Sequence, residues 1–86
     1  MSEKEYGFPI CQGKGSITSG KRVVGEAHSV SIPLACPAGR VIGVHHKHPG
    51  GSLELSEQDK RTARQKRLEY VCIKGKGRVK CYRFKR

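Results

Sequence analysis

The pattern of hydrophobic and polar positions predicts several short strands and one helix. Residues 6–12 mix apolar side chains with glycine and proline and predict a strand that runs into a glycine-rich turn at 13–16. Because proline has no amide hydrogen to donate to a neighbouring strand, Pro9 restricts this strand to a sheet edge or a bulge.

The middle of the chain predicts two further strands. A second strand, or a bent pair of strands broken near Gly25, is expected within 21–32, where Val30 and Ile32 share one face. The β-branched run that begins at Arg40 continues into three histidines and stops at a Pro-Gly-Gly sequence. We interpret this run as a buried central strand.

The C-terminal half predicts a helix and then a hairpin. Ser56 can cap a helix over residues 57–67, and the acidic residues at 57 and 59 lie favourably at its positive end. Residues 70–84 predict a hairpin around the Gly-Lys-Gly sequence at 75–77.

The register of this hairpin follows from its apolar residues. A three-residue loop pairs Ile73 with Val79 and Val71 with Cys81, which collects apolar side chains on one face. A two-residue loop would pair Cys72 with Cys81 and would distribute the apolar side chains over both faces. We therefore expect the three-residue loop and no disulfide between Cys72 and Cys81.

Together these elements predict a single α+β domain over residues 1–86, a small mixed sheet with one main helix packed on it. A chain of 86 residues leaves room for one small domain. Such a chain buries only about 60% of its unfolded surface, so we expect a thin core and a small margin of stability.

The charge and composition of the chain indicate which partners it could bind and in which compartment it could work. The chain has 18 Lys and Arg residues against 7 Asp and Glu, a formal charge of +11, which would attract nucleic acid or an acidic protein. Its polar N-terminus does not resemble a secretory signal, and no apolar run approaches the roughly 20 residues that span a bilayer. We therefore expect a cytoplasmic monomer or homodimer that does not enter membranes, with its four cysteines as reduced, buried thiols.

The histidines of the central strand suggest a metal site. Because side chains alternate along a strand, His46 and His48 point to one face and His45 to the other. Asp59, in the first turn of the following helix, is the nearest candidate for a third ligand. Two imidazoles and one carboxylate form a zinc set that leaves a fourth position open for water, as in catalytic sites. Zinc in such a site activates water and polarises a neighbouring carbonyl, so amide hydrolysis becomes feasible.

These residues resemble the signature of a known enzyme family. His46-Lys47-His48-Pro49, then six residues, then Ser56-Glu57-Gln58-Asp59, resembles the His-x-His-Pro-x6-Ser-x-x-Asp motif of the JAMM (MPN-plus) zinc metalloproteases. Gly43 also fits the glycine that usually stands three residues before the first ligand. The resemblance implies that His46, His48 and Asp59 bind Zn²⁺, that the Ser56 hydroxyl faces the oxyanion, and that the fold is a JAMM/MPN-like (cytidine-deaminase-like) core.

The same resemblance implies a catalytic glutamate on an early strand, which acts as general acid and base. Glu5, which precedes the glycine-containing apolar stretch at 7–13, fits best. Glu3, two residues away on the same strand face, and Glu26, on the intervening strand, are the alternatives.

Three functions remain open at this point. The first is a zinc-dependent peptidase or isopeptidase that acts on an acidic ubiquitin-like protein. The second is a nucleic-acid-associated protein similar to RadC-like relatives, with Lys60, Arg64 and Arg67 along one side of the helix. The third is a metal-stabilised interaction module without turnover, in which zinc contributes folding free energy. Ser56 and Asp59 alone would also suit an ordinary helix cap.

Overall fold

A computed structural model describes residues 4–25 and 32–84 of the chain. The described residues form six strands and one helix. The elements in chain order are β1 (Tyr6–Gln12), β2 (Ile17–Ser19), β3 (Val23–Val24), β4 (Arg40–Lys47), α1 (Glu57–Gln65), β5 (Tyr70–Lys74) and β6 (Val79–Arg83).

The strands form one mixed sheet in the order β2-β1-β4-β5-β6, and β3 pairs with β1 beside β2. Only β4 and β5 are parallel among these pairs. A parallel pair needs a crossover connection, and α1 lies within the segment that joins β4 to β5. The prediction of a small mixed sheet with one helix, and of a central strand that contains the histidines, is confirmed.

The sheet has one covered face, which we call the helix-side face. There Val44, Val71 and Ile73 pack against Ala63 of α1 and Leu68, and all five are buried. These contacts remove apolar surface from water and hold the helix on the sheet.

The opposite side, which we call the open face, carries the even-numbered residues of β1. Along β1, Gly7, Pro9 and Cys11 are buried, whereas Tyr6, Phe8 and Ile10, which alternate with them, are only half-buried. This alternation with period two is that of a strand with one face on the core and one toward solvent. His45 lies on the open face, where its ring stacks on Phe8.

Of the two positions predicted for Pro9, the sheet edge is wrong because β1 lies inside the sheet, whereas a bulge agrees with a register shift close to Pro9. The Pro9 carbonyl accepts a bond from Gly20 N on the side of β2 and β3. A residue's amide nitrogen and carbonyl face the same neighbour in a strand, so the missing donor also faces this side. There β2 pairs only with 10–12 and β3 only with 6–7, so no ladder bond is lost. A register shift against β4 follows between Ile10 and Cys11.

The predicted hairpin register is wrong by one residue. In the structure Cys72 lies opposite Cys81 and Val71 opposite Tyr82. Gly75 N donates to Arg78 O over 2.9 Å, which leaves a two-residue loop, and Gly77 adopts a positive φ of 70° that glycine permits. Tyr82, rather than Val79, supplies the apolar neighbour on the helix-side face, and its hydroxyl donates to Leu53 O over 2.6 Å.

The prediction of reduced thiols is also wrong, because all four cysteines are paired. Cys72 and Cys81 form a cross-strand disulfide between β5 and β6, which the corrected register brings together. Cys11 of β1 forms a second disulfide with Cys36 in the loop that precedes β4. The fully buried Cys11 therefore ties this loop to the helix-side face.

Two smaller differences concern the ends of elements. Of the strand expected within 21–32, the structure shows β3, whereas Val30 lies outside the described residues. The short strand β2, whose three residues are all exposed, was not predicted. Helix α1 ends at Gln65 rather than at residue 67, since Arg67 turns to a positive φ of 53°. No helix among the described residues is long and apolar enough to cross a membrane.

Candidate metal site

The site lies at the C-terminal end of β4, where the strand meets a reversal of the chain. His46 pairs with Gly7 of β1 and Ile73 of β5, so it lies between two neighbouring strands, and its side chain is 8% exposed. His48 follows directly after β4, and its amide donates to Lys74 O over 2.8 Å. Its carbonyl accepts from Gly51 N over 2.9 Å, so the predicted Pro-Gly reversal begins at His48 itself.

The ring of His48 is oriented by a backbone carbonyl. Its Nδ1 lies 3.1 Å from Ser52 O. Because a carbonyl oxygen only accepts, this contact requires the proton on Nδ1 and leaves the Nε2 lone pair unprotonated in the neutral ring. Nε2 lies 3.7 Å from Asp59 Oδ2. Metal-binding histidines are commonly held through their other nitrogen in this way.

Asp59 belongs both to the helix cap and to the histidine cluster. Its backbone N–H donates to the Ser56 hydroxyl over 3.1 Å, and its Oδ2 accepts from Ser56 N over 3.0 Å. This reciprocal pair is a capping box, so Ser56 and Asp59 do form an ordinary helix cap. The same cap turns the carboxylate of Asp59 toward β4.

His46 lies between two carboxylates. Its Nδ1 is 3.5 Å from Glu5 Oε1, and its Nε2 is 3.2 Å from Asp59 Oδ1. Nε2 is buried, and its alignment with Asp59 is not that of a hydrogen bond, so it is unsatisfied among the described residues. Two atoms bound to one tetrahedral zinc ion lie about 3.3 Å apart. The separation of Nε2 from Oδ1 therefore fits two ligands of one ion.

The carboxylates change the protonation of the site. Burial lowers the pKa of the His46 imidazole, but the carboxylates of Asp59 and Glu5 outweigh burial and raise the pKa above 6.5. Burial raises the pKa of Asp59, but His46 and the hydrogen bonds from Ser56 outweigh it and lower the pKa below 3.8. An ion pair between His46 and Asp59 is thus the favoured state when no metal competes for these atoms.

Glu5 offers a second carboxylate to the same histidines. Ligand atoms of Glu5, His46 and His48 all lie within 4.8 Å of one another, so these three residues could hold a metal ion. Glu5 is 8% exposed, and its backbone carbonyl accepts from Gly25 N over 2.9 Å. The alternatives Glu3 and Glu26 lie outside the described residues.

Of the five residues predicted for metal binding and catalysis, the structure brings four together around the histidines: Glu5, His46, His48 and Asp59. The fifth, Ser56, is present as the helix cap on Asp59. The sequence did not predict Ser52, whose contact is made by its backbone and so leaves no signal in the residue type.

The predicted basic patch on the helix is less regular than its spacing suggests. Lys60 Nζ lies 3.3 Å from Glu57 Oε1, so an acidic neighbour offsets its charge. Arg64 is exposed in the last turn of α1, whereas Arg67 lies beyond the end of the helix. The three cations therefore do not form a single helical stripe.

No family model, curated protein or solved structure matches this chain. The similarity to the JAMM motif therefore stays a prediction.

Proposed function

We propose that the chain is a zinc-dependent metallopeptidase or isopeptidase on a JAMM/MPN-like core. His46, His48 and Asp59 are its proposed zinc ligands, and Glu5 is its general acid and base. One observation carries this proposal: both imidazoles direct Nε2 toward the carboxylate of Asp59, while oxygen atoms occupy the side of each Nδ1.

The donor set suits zinc in type and number. Imidazole nitrogen and carboxylate oxygen are ordinary zinc ligands, and three protein ligands leave a fourth position for water or substrate. The buried Nε2 of His46 supports this fit, because it lies 3.2 Å from Asp59 Oδ1 in a contact that is not aligned as a hydrogen bond but suits two ligands of one ion. When bound, zinc would act as a Lewis acid on a substrate carbonyl and lower the pKa of water.

Glu5 is suited to hold and move a proton. Its buried carboxylate lies beside His46, and one of its oxygens is within 4.8 Å of a ring nitrogen of each histidine. In amide hydrolysis this carboxylate would take a proton from the attacking water and give it to the nitrogen of the leaving amine. Its contact with His46 Nδ1 also orients that ring.

Ser56 would stabilise the oxygen of the scissile carbonyl. Its oxygen already accepts from Asp59 N, and its own hydroxyl hydrogen is left to donate. A donor directed at the developing oxyanion stabilises the transition state.

The class of substrate and the cellular compartment are also proposals. The charge of +11 supports an acidic protein substrate, such as a ubiquitin-like protein. The two disulfides favour an oxidising compartment over the expected cytoplasmic one.

Metal content and hydrolysis test the proposal together. We expect protein purified without chelator to carry one zinc ion per chain, and His48→Ala to lose it. His45→Ala is the matched control, because His45 lies on the open face, and it should retain zinc. Glu5→Gln should retain zinc but lower the rate of cleavage of a Gly-Gly-Lys isopeptide at least about 100-fold. Equal zinc content in His48→Ala and His45→Ala would contradict the metal site.

A second function, a metal-stabilised binding module without turnover, is favoured by one observation. Glu5 contacts Nδ1 of His46, on the side of the ring away from Asp59, which is the usual position of a residue that orients a metal ligand. In that case zinc binds and stabilises the fold, Glu5→Gln weakens zinc binding, and the wild-type protein cleaves no isopeptide.

A further inference from the structure

The open face of the sheet has the composition of a binding surface. Within the described ranges no helix or strand packs on it, because α1 lies on the helix-side face. The strand registers bring aromatic residues of three adjacent strands onto this face, namely Tyr6 and Phe8 of β1, His45 of β4 and Tyr70 of β5.

The rings on the open face are already arranged for stacking. Phe8 and His45 are stacked, with their centroids 4.6 Å apart and their planes within 8° of parallel. The guanidinium of Arg22 lies 3.8 Å from the centroid of Tyr6. All four residues retain some exposure. Flat aromatic and guanidinium groups are the groups on which unpaired nucleobases stack.

The charged side chains that the described strands place on this face are cations, and Glu69, just before β5, is paired with one of them, Arg40. No strand of the described chain contains an acidic residue. The registers place Lys47, Lys74 and Arg83 on the open face, and Arg22 joins them through its contact with Tyr6. Cations interleaved with aromatic rings match a polymer that alternates phosphates with bases.

Exposed apolar residues also concentrate on the open face. Three of the four large hydrophobic residues that are markedly exposed lie there by register: Ile17 opposite Gln12, Val24 opposite Tyr6, and Val79 opposite Lys74. Ile17 and Val24 lie at one edge of the sheet and Val79 at the other, so they border the aromatic residues of the open face from both sides.

We infer that the open face binds single-stranded nucleic acid. A second copy of this chain is disfavoured as the occupant, because it would bring two basic surfaces together. Double-stranded nucleic acid offers phosphates but hides its base faces within the stack, so it would leave the aromatic rings unused. This site lies on the opposite side of the sheet from the metal ligands and does not depend on the proposed hydrolase activity.

Fluorescence anisotropy with labelled 12-nucleotide DNA and RNA tests this inference, with the same sequence as a duplex for comparison. We expect single strands to bind more tightly than the duplex at low salt. Phe8→Leu, which keeps an apolar side chain but removes the ring, should weaken single-strand binding about tenfold and leave duplex binding unchanged.

Matched charge variants locate the surface. Lys74→Gln on the open face should weaken binding and reduce the slope of log affinity against log salt by about 0.7. Lys80→Gln should not, because Lys80 is on the opposite face of the same hairpin, over the Tyr82 ring. Arg64→Gln, on the helix, should likewise leave single-strand binding and its salt dependence unchanged. Arg83→Gln, at an exposed position, repeats the test should Lys74→Gln fold poorly.

Several outcomes would overturn the inference. These are no binding of single strands at low salt, equal affinity for single strand and duplex, or equal losses in Lys74→Gln, Lys80→Gln and Arg64→Gln. The last result would show only general attraction of a basic protein to a polyanion. Selective binding of an acidic protein, but not of single strands, to the open face would overturn it as well.

Discussion

At the scale of single residues, the two carboxylate oxygens of Asp59 have different partners. Oδ2 accepts the Ser56 amide in the capping box, whereas Oδ1 faces Nε2 of His46. The cap thus fixes the direction of the proposed ligand, and one side chain serves the helix and the site together. Sequence spacing alone could not separate these two roles, because both require an acid three residues after Ser56.

Substitutions at the two ends of the cap separate the roles. Ser56→Ala should lower the free energy of unfolding by about 1 kcal/mol, because an N-cap is lost, yet leave zinc affinity within about threefold. Asp59→Asn retains an oxygen that can accept from Ser56 N but removes the charge, so we expect zinc affinity to fall at least tenfold. Titration calorimetry with zinc and urea unfolding measure the two effects. Equal zinc affinity in Asp59→Asn and wild type would exclude Asp59 as a ligand.

The protonation of His46 gives a prediction about pH. Its pKa in the folded protein is raised above 6.5, so its contribution to stability is fully present below pH 6.5 and is lost as the pH rises through the folded pKa. In the presence of chelator, wild type should therefore lose stability relative to His46→Gln as the pH rises above 6.5.

Saturating zinc should reverse this trend, because zinc requires the neutral ring and its binding releases the proton. Thermal unfolding of both proteins from pH 6 to pH 9, with zinc and with chelator, provides the measurement. If the stability of wild type and of His46→Gln changed equally with pH in chelator, His46 would not be paired with Glu5 and Asp59.

Gly43 shows why a motif residue can have more than one explanation. A Cβ at this position would collide with the backbone carbonyl of Tyr70 and approach its Cβ to 3.0 Å. The close approach of β4 and β5 therefore requires glycine here whether or not a metal binds.

At the scale of elements, the ends of α1 were partly predictable. The Ser-x-x-Asp pattern predicted its beginning at Glu57 correctly, because the cap is local in sequence. Its end was predicted two residues too late. Leu68 N bonds to Ala63 O and Arg67 N to Arg64 O, the pattern of a Schellman motif, with Arg67 in the left-handed position that glycine usually occupies.

A glycine at this helix end should therefore stabilise the protein. Arg67→Gly removes the cost of a left-handed arginine, which exceeds the added entropy of the unfolded chain, so we expect a gain of about 0.5–1 kcal/mol. Arg64→Gly, inside the helix, is the control and should cost about 1 kcal/mol. Urea unfolding checks both. A loss of stability in Arg67→Gly would show that the arginine side chain makes a stabilising contact.

The hairpin shows the limit of predictions based on the pattern within one element. Both strands were predicted, but a shift of one residue moved every side chain of one strand to the other face. The apolar residues that decide the register include Tyr82, whose hydroxyl reaches the carbonyl of Leu53 in a distant loop. A contact of this kind leaves no trace in the local pattern.

At the scale of the whole molecule, the thin core depends on covalent links. Eight buried hydrophobic residues form the core of the described chain. Two of them, Cys11 and Cys72, each form a disulfide with a cysteine outside this core. A domain of this size buries a modest fraction of its surface, so restriction of the unfolded chain matters more than in a larger protein.

The two disulfides should differ in their effect on stability. The bridge from Cys11 to Cys36 spans 25 residues and that from Cys72 to Cys81 spans 9. By loop length, replacing the first pair by alanine should cost about 3–4 kcal/mol, and the second about 2–3 kcal/mol. Urea unfolding of the two double variants measures this order. Four titratable thiols in the native protein, with no effect of reductant on stability, would contradict both bridges.

By itself the sequence determined what is local: the helix start, most strand positions, the placement of His45 opposite His46, and the reversal after His48. Propensity, alternation and capping act over a few residues, so they can be recognised in the chain alone.

Only the tertiary structure decided the hairpin register, the cysteine pairing, the internal position of β1, and the approach of Glu5 to His46. Each of these depends on which distant segments pack together. Packing free energy is shared among many contacts from separate parts of the chain, and no local pattern contains it.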